Sequence, residues 1–183
     1  MSSSPGRDAA IRNGFIHHRS ERYEGFGDAE LFVGWRRRDL LVDGSTFRFS
    51  LGMTLPFGDT EEDPWELGDV GREHLHVQFG NGTFDPIADI YMGVPLSQHL
   101  AISLFAKGRL PFYENSNGYT GSPEALLASR LTYLASKKLS FSTGVVAQYQ
   151  GYSEWDKTGR DENSGQFSVL ASLGLGYKVS ETM

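Results

Sequence analysis

The sequence predicts an all-β fold, an antiparallel up-and-down β-barrel or partial barrel of about seven to eight long strands. Three observations carry that expectation. The first is a period of two. In "STFRFSLGMTLPF", residues 45–57, the odd positions from Phe47 to Leu55 are Phe47, Phe49, Leu51, Met53 and Leu55, while Thr46, Arg48, Ser50, Gly52 and Thr54 fill the even ones. The second is length. The segment from Phe167 to Val179 keeps one register for 13 residues, whereas soluble strands cluster at about 5–6 and spanning strands need about 9–11. The third is rhythm. Short connections at "RRDLLVDG", at 97–98 and at 136–138 alternate with long ones around 57–72, 113–123 and 153–165. Outer-membrane barrels have short turns at one end and long loops at the other. Together these make the expected barrel a transmembrane one.

Each strand repeats the pattern. "GDAELFVGWRR" sets Ala29, Leu31, Val33 and Trp35 against Asp28, Glu30, Phe32, Gly34 and Arg36. After the strand at 45–57, "PIADIYMGVPL" places Ala88, Ile90, Met92, Val94 and Leu96 opposite Asp89, Tyr91 and Gly93. "LAISLFAKGRL" alternates Leu100, Ile102, Leu104, Ala106 and Leu110 with Ser103, Phe105, Lys107 and Arg109. In "EALLASRLTYL", Leu127, Leu131 and Tyr133 oppose Glu124, Arg130 and Thr132, with Leu126 out of pattern. "LSFSTGVVAQYQ" and "QFSVLASLGLGYKV" are the most regular, and only Leu170 breaks the second. Leu75, Val77 and Phe79 suggest a short strand extension within a loop, and Gly108 a bulge. Residues 1–24 form a poorly defined N-terminal segment and 25–180 the barrel domain, expected to be part of a larger barrel.

Composition agrees. Net charge is −6, so there is no basic footprint for nucleic acid. Cysteine is absent, which excludes a disulfide scaffold and thiolate chemistry. Glycine numbers 22 and aromatics reach 13%, a turn-rich β composition. No run approaches the ~20 apolar residues of a membrane helix. The slightly polar mean hydropathy of −0.36 suits a barrel in which only alternate residues meet lipid. The first 26 residues carry no apolar stretch, so no signal peptide is expected in this chain. For an envelope protein, that points to a signal already removed or to a fragment. Trp35, Tyr91, Phe112, Tyr133, Tyr149 and Tyr177 are candidates for aromatic girdles, although Tyr91 falls in the inward register.

Four phrases resemble the outer-membrane transporter family called "MetA pathway of phenol degradation". They are "GFGDAELFVGWR" at 25–36, "LGMTLPFGD" at 51–59, "FGNGTFDPIADIYMGVPL" at 79–96 and "SNGYTG" at 116–121. The resemblance covers roughly residues 25–180. It implies a barrel of about a dozen strands in the Gram-negative outer membrane that passes small hydrophobic or aromatic compounds. Its partners would be outer-membrane lipid, the barrel-assembly machinery and the solute. Two departures stand out: about seven full strands are readable, and the chain ends "GYKVSETM" rather than on a terminal aromatic strand residue. Both fit a truncated or divergent member.

The inward register supplies the candidate lumen-lining residues: Asp28, Glu30, Arg36, Arg48, Asp89, Lys107, Arg109 and Arg130. Such charges set selectivity in pores. Because both signs are present, mutual neutralisation across strands is the commoner outcome. The six carboxylates of "GDTEEDPWELGD" have the oxygen density a hard cation favours but no EF-hand spacing, so a solvated loop is the favoured reading. "DKTGRDENSG" is weaker still. His17 and His18 alternate faces, and His74 with His76 lacks a third ligand, so no metal is expected and no cofactor is implied. No nucleophile motif occurs. His99 beside Ser97 or Ser103 is the nearest approach to the His–Ser pair of lipid-modifying barrels, and a polar pair near a turn is far commoner. An enzyme is not expected. Three functions remain open: a channel for small solutes, a structural barrel with a filled lumen, and a soluble β-barrel or sandwich enclosing a lipid-like ligand. The last needs the large apolar rows to point inward.

Overall fold

The computed structural model describes residues 24–72, 74 and 77–179. The N-terminal segment as far as residue 23, with His17 and His18, lies outside the described residues, as do Leu75 and His76. Seven long strands form one sheet: β1 (Ala29–Arg38), β2 (Thr46–Leu55), β3 (Pro86–Pro95), β4 (Leu100–Arg109), β6 (Glu124–Leu134), β7 (Leu139–Gln150) and β10 (Gln166–Tyr177). Its order is β1-β2-β3-β4-β6-β7-β10, and every neighbouring pair is antiparallel. Two-residue strands β5 (Tyr119–Thr120), β8 (Glu154–Trp155) and β9 (Gly159–Arg160) make a second sheet, and a short helix α1 spans Pro64–Asp69.

The chain is thus all-β, and its main sheet is open. Among the described residues β1 and β10 each have one strand neighbour, so the expected barrel takes the form of a curved open sheet. Tight turns at 39–45, 96–99 and 135–138 occupy one end of the wall. The long connections 56–85, 110–123 and 151–165 occupy the other. These are the turn end and the loop end below. In the first turn Ser45 Oγ accepts the backbone N–H groups of Leu41 and Val42, and the Asp39 carboxylate accepts that of Gly44.

Curvature follows from one ion pair. Lys107 Nζ lies 2.7 Å from Glu30 Oε2, yet their strands are three steps apart and their positions four residues out of register. On a flat sheet that is roughly 20 Å, at about 4.8 Å per strand and 3.4 Å per residue, too far for a lysine and a glutamate to bridge. The sheet must therefore curl, with the polar rows on its concave side.

Small residues make that side possible. Gly34 faces Ser50, Gly144 faces Ser172, Gly174 faces Ser142 and Gly176 faces Ser140. A Cβ on Gly34 would meet Ser50 Oγ at 3.0 Å, so each glycine leaves room for the serine beside it. The large apolar residues stand on the convex side: Val33 is 79% exposed, Leu51 56%, Val169 59% and Leu173 89%. Among the described residues the buried apolar side chains are Ile87, Tyr119 and Trp155. The buried polar ones include Ser45, Ser50, Thr54, Thr83, Asp85 and Asp89.

Exposed aromatics gather at both ends: Trp35, Tyr133, Phe141 and Tyr177 towards the turns, and Phe57, Phe112, Tyr149 and Phe167 towards the loops. Tyr91 points into the concave side, its hydroxyl over Gly93, and joins neither belt. Two local expectations fail. Val77 and Phe79 belong to no strand, because that stretch is held by side-chain contacts across the loop rather than by a partner strand. Gly108 marks no bulge: the ladder runs Ala88↔Gly108↔Ala125 without an extra residue, since an outward-facing glycine fits the pleat unaided.

Candidate functional site: a polar chamber under the loop end

The loops fold into a cap over the loop end of the sheet. Its first part is a knot of backbone groups and hydrogen-bonded carboxylates, of which Asp85 is buried. Asp28, one residue ahead of β1, accepts the N–H of Gly58 through Oδ1 at 2.9 Å and that of Asn81 through Oδ2 at 2.7 Å. Asp59 exchanges bonds with Phe26: its backbone N–H donates to the Phe26 carbonyl, and its carboxylate accepts the Phe26 N–H. Gly58 and Gly80 must both be glycine here. A Cβ on Gly58 would lie 2.8 Å from the Asp28 nitrogen and 2.8 Å from Gly80 Cα.

Asp85, fully buried, accepts Asn81 Nδ2 at 2.7 Å and Thr83 Oγ1 at 2.6 Å. Its own N–H donates to Thr54 Oγ1, whose hydroxyl donates to the Thr83 carbonyl. Asn115 Nδ2 donates to the Asn81 carbonyl. The motif residues Asp28, Gly58, Asp59, Gly80, Asn81 and Asp85, dispersed over nearly sixty positions, thus converge on one corner of the rim.

The second part is a small core of its own. Tyr119 packs on Trp155 with ring centroids 4.8 Å apart. Asp63 caps α1, accepting the N–H groups of Trp65 and Glu66, while its other oxygen accepts Thr158 Oγ1. Pro64 at the first helical position needs no partner for an N–H it lacks. Glu66 takes Lys157 Nζ at 2.9 Å, and this contact raises the Lys157 pKa. Burial holds the Tyr119 phenol above its ordinary 10.0, against a hydrogen bond with Ser153 that lowers it.

Between cap and sheet lies a chamber of about 290 Å³ bounded by Glu30, Gln78, Phe79, Arg109, Glu124 and Gln150 among others. That Glu30 of β1 and Gln150 of β7 line one space is a further mark of the curl. A cavity of about 200 Å³ adjoins it, and Gln78, Tyr119, Ser122 and Gln150 belong to both.

The candidate lumen residues divide into three groups. Five of them are held in ion pairs: Arg48 with Asp89 at 3.1 Å, Lys107 with Glu30, and Arg109 with Glu124, which was not among the candidates. The Asp89 oxygen also accepts Ser50 Oγ, and Lys107 lies 5.5 Å from the centre of the Phe32 ring. Asp28 stands outside the wall in the knot. Arg36 and Arg130 remain exposed on the concave register, opposite Arg48 and Gly144 respectively.

Other sequence candidates find ordinary places. His74 is buried, its Nδ1 2.9 Å from the Arg72 carbonyl. Ser97 Oγ accepts the backbone N–H of His99. Among the described residues no three His, Cys, Asp or Glu are grouped to hold a metal ion. Sequence reasoning set Gln150 on the polar face of its strand and passed over Ser122, a chamber residue whose only signal was that it borders a predicted strand. No family model matches the chain, and no curated protein matches it.

Proposed function

We propose that this chain forms part of the wall of an outer-membrane β-barrel channel for small solutes. One observation carries the reading: the molecule is inverted with respect to water. Its strand wall turns apolar rows outward and keeps serine, threonine and aspartate within. A water-soluble fold buries apolar surface at about 25 cal/mol per Å² as its main driving force, and this wall buries almost none. In hydrocarbon the outward rows are solvated and the backbone groups between paired strands are satisfied, while the outer edges of β1 and β10 call for further strands to close the wall.

The belts agree in scale. Phe167 and Tyr177 are ten residues apart on β10, roughly 34 Å along the strand, or about 26 Å of depth at a tilt near 40°, close to the ~25 Å apolar band of such barrels. The family resemblance supports the same assignment and adds small hydrophobic or aromatic compounds as its solute class. A structural barrel with a filled lumen is the second reading, favoured by the three ion pairs across the concave face.

Purified protein is expected to be monodisperse only in detergent, to show heat-modifiable migration on gels and to conduct in planar bilayers, with conductance altered by Lys107→Ala or Arg48→Ala. Monodispersity in plain buffer would reject the membrane assignment. A closed trace in the parent and both variants would favour the filled barrel.

A further inference from the structure

We propose that the concave face of the wall binds small hydrophobic carboxylates, with the carboxylate on Arg130 and the hydrocarbon body on an apolar patch beside it. The assignment narrows the solute class of the channel reading to anionic members and rests on that reading for its biological sense.

Register sets the patch. Across β4, β6, β7 and β10 one row of the ladder runs Phe105↔Ala128↔Val146↔Leu170. Each position shares its strand's inward parity, Phe105 with Lys107, Ala128 with Glu124, Val146 with Gln150 and Leu170 with Ser172. Leu126, the cross-strand partner of Lys107, adjoins the row. The two leucines that break the alternation in sequence thus fall into one patch. At about 4.8 Å per strand the row spans roughly 14 Å, room for an aromatic ring or a short alkyl chain. No packed core absorbs it: Phe105 and Val146 are half-buried, and Leu170 is 62% exposed.

Arg130 borders this patch. It stands two residues beyond Ala128 on the same face of β6, between Ser103 and Gly144. Those partners are small and uncharged. Phe105 and Val146 are its diagonal neighbours, at a spacing a long side chain can reach across. Arg130 is exposed and has no ion pair among the described residues, unlike Arg48, Lys107 and Arg109. Its planar guanidinium is therefore free to take a carboxylate through two parallel N–H donors.

The surrounding charge favours an anion. Arg36 and Arg38 share the concave register of β1 on its turnward half, again without ion pairs among the described residues. The inward carboxylates Glu30, Asp89 and Glu124 are each held by a cation. Asp39 and Asp43 in the first turn are offset by Lys137 and Lys138 in the turn at 135–138. A neutral solute of the same shape would leave the guanidinium to water, and a cation would be repelled. Phosphate would leave the apolar row uncovered.

The test uses the full chain in detergent micelles. Benzoate, benzyl alcohol, benzylammonium and inorganic phosphate are each titrated by calorimetry, against protein and against micelles alone. Saturable benzoate binding is expected, at least tenfold tighter than that of the other three. Arg130→Gln should weaken benzoate about tenfold and leave benzyl alcohol as it was, and Arg130→Lys should recover part of the loss. Phe105→Ala should weaken benzoate several-fold, whereas Ser140→Ala, towards the turn end of β7, leaves it unchanged. Far-ultraviolet circular dichroism checks that each variant is folded. Equal affinity for benzoate and benzyl alcohol overturns the assignment. So does tighter binding of benzylammonium or phosphate, benzoate binding indifferent to Arg130→Gln, or no saturation at all. Arg130-dependent benzoate binding by a protein that stays monodisperse without detergent would reject the channel and keep the site. Conductance in planar bilayers without benzoate binding would do the reverse.

Discussion

The strand wall and the loop cap are built on opposite principles. In the wall, apolar side chains such as Val33, Leu51 and Leu173 stand exposed, and Ser50, Thr54 and Asp89 are shut in. In the cap, Tyr119 and Trp155 are buried against each other, and the surface carries Glu66, Lys157 and Arg160. The cap resembles a small water-soluble fold, held by a pair of rings and a net of hydrogen-bonded carboxylates. The wall has no such core, so its stability is tied to the medium around it. One chain thus contains two solvent instructions, and the boundary between them lies near the aromatic belt at the loop end.

The sharpest way to break that contrast uses two leucines on one strand. Leu173 faces outward from β10 and Leu170 lies on the inward register, and both are exposed. In lipid or micelles Leu173→Arg is expected to destabilise by about 2–4 kcal/mol, and Leu170→Arg by less than about 1. Denaturant unfolding followed by gel migration reads the difference. Equal effects would mean that both faces meet water.

Next in size is the knot. Asp85→Ala strands Asn81 Nδ2 and Thr83 Oγ1 in a buried place, for an expected loss of about 2–3 kcal/mol. The loss should appear as protease cleavage within 56–85, with the far-ultraviolet circular dichroism of the wall retained. Collapse of both signals together would show that cap and wall are one cooperative unit.

Alkaline pH separates them differently. The Tyr119 phenol titrates higher folded than unfolded. Its contribution is therefore complete below the ordinary value of 10.0 and is lost as pH rises through the raised one. Trp155 emission should shift to the red in that alkaline range while the wall persists, and Tyr119→Phe should abolish the shift. The smallest effect on stability belongs to Lys107→Gln. Its pair with Glu30 is partly exposed and contributes under about 1 kcal/mol. The same substitution removes the tether across the concave face, so conductance should change far more than the unfolding midpoint.

These contrasts follow what could be read from the residues. The wall was legible because a period of two survives over ten or more positions: "QFSVLASLGLGYKV" announces β10, and the observed strand is Gln166–Tyr177. Where the pattern faltered, at Leu126 and Leu170, the strand continues and the leucine simply occupies an inward place. The cap was not legible. A strand of two residues, such as Tyr119–Thr120, is too short to show any period. Asp85 looks like a loop residue in sequence, and only the tertiary convergence of distant turns reveals that it is shut in.

Asp28 illustrates the difficulty. Its parity matched the charged row of β1, yet the strand begins one residue later and the carboxylate turns to backbone N–H groups instead. One signal was there to be read. Asp63 followed by Pro64 is a cap and first-turn pair, and it heads α1. Ser122 gave no such sign, because its burial depends on neighbours distant in sequence.

The count of long strands has a directional consequence. β1 runs from Ala29 at the loops to Arg38 at the turns, and β10 likewise runs from Gln166 at the loops to Tyr177 at the turns. The two rims of the sheet therefore travel the same way. Bending one round to the other would bring them together as a parallel seam, and so would a second copy threaded in the same sense. Closure by antiparallel seams alone requires an odd number of added strands, whatever their source, and the complete ring is then even.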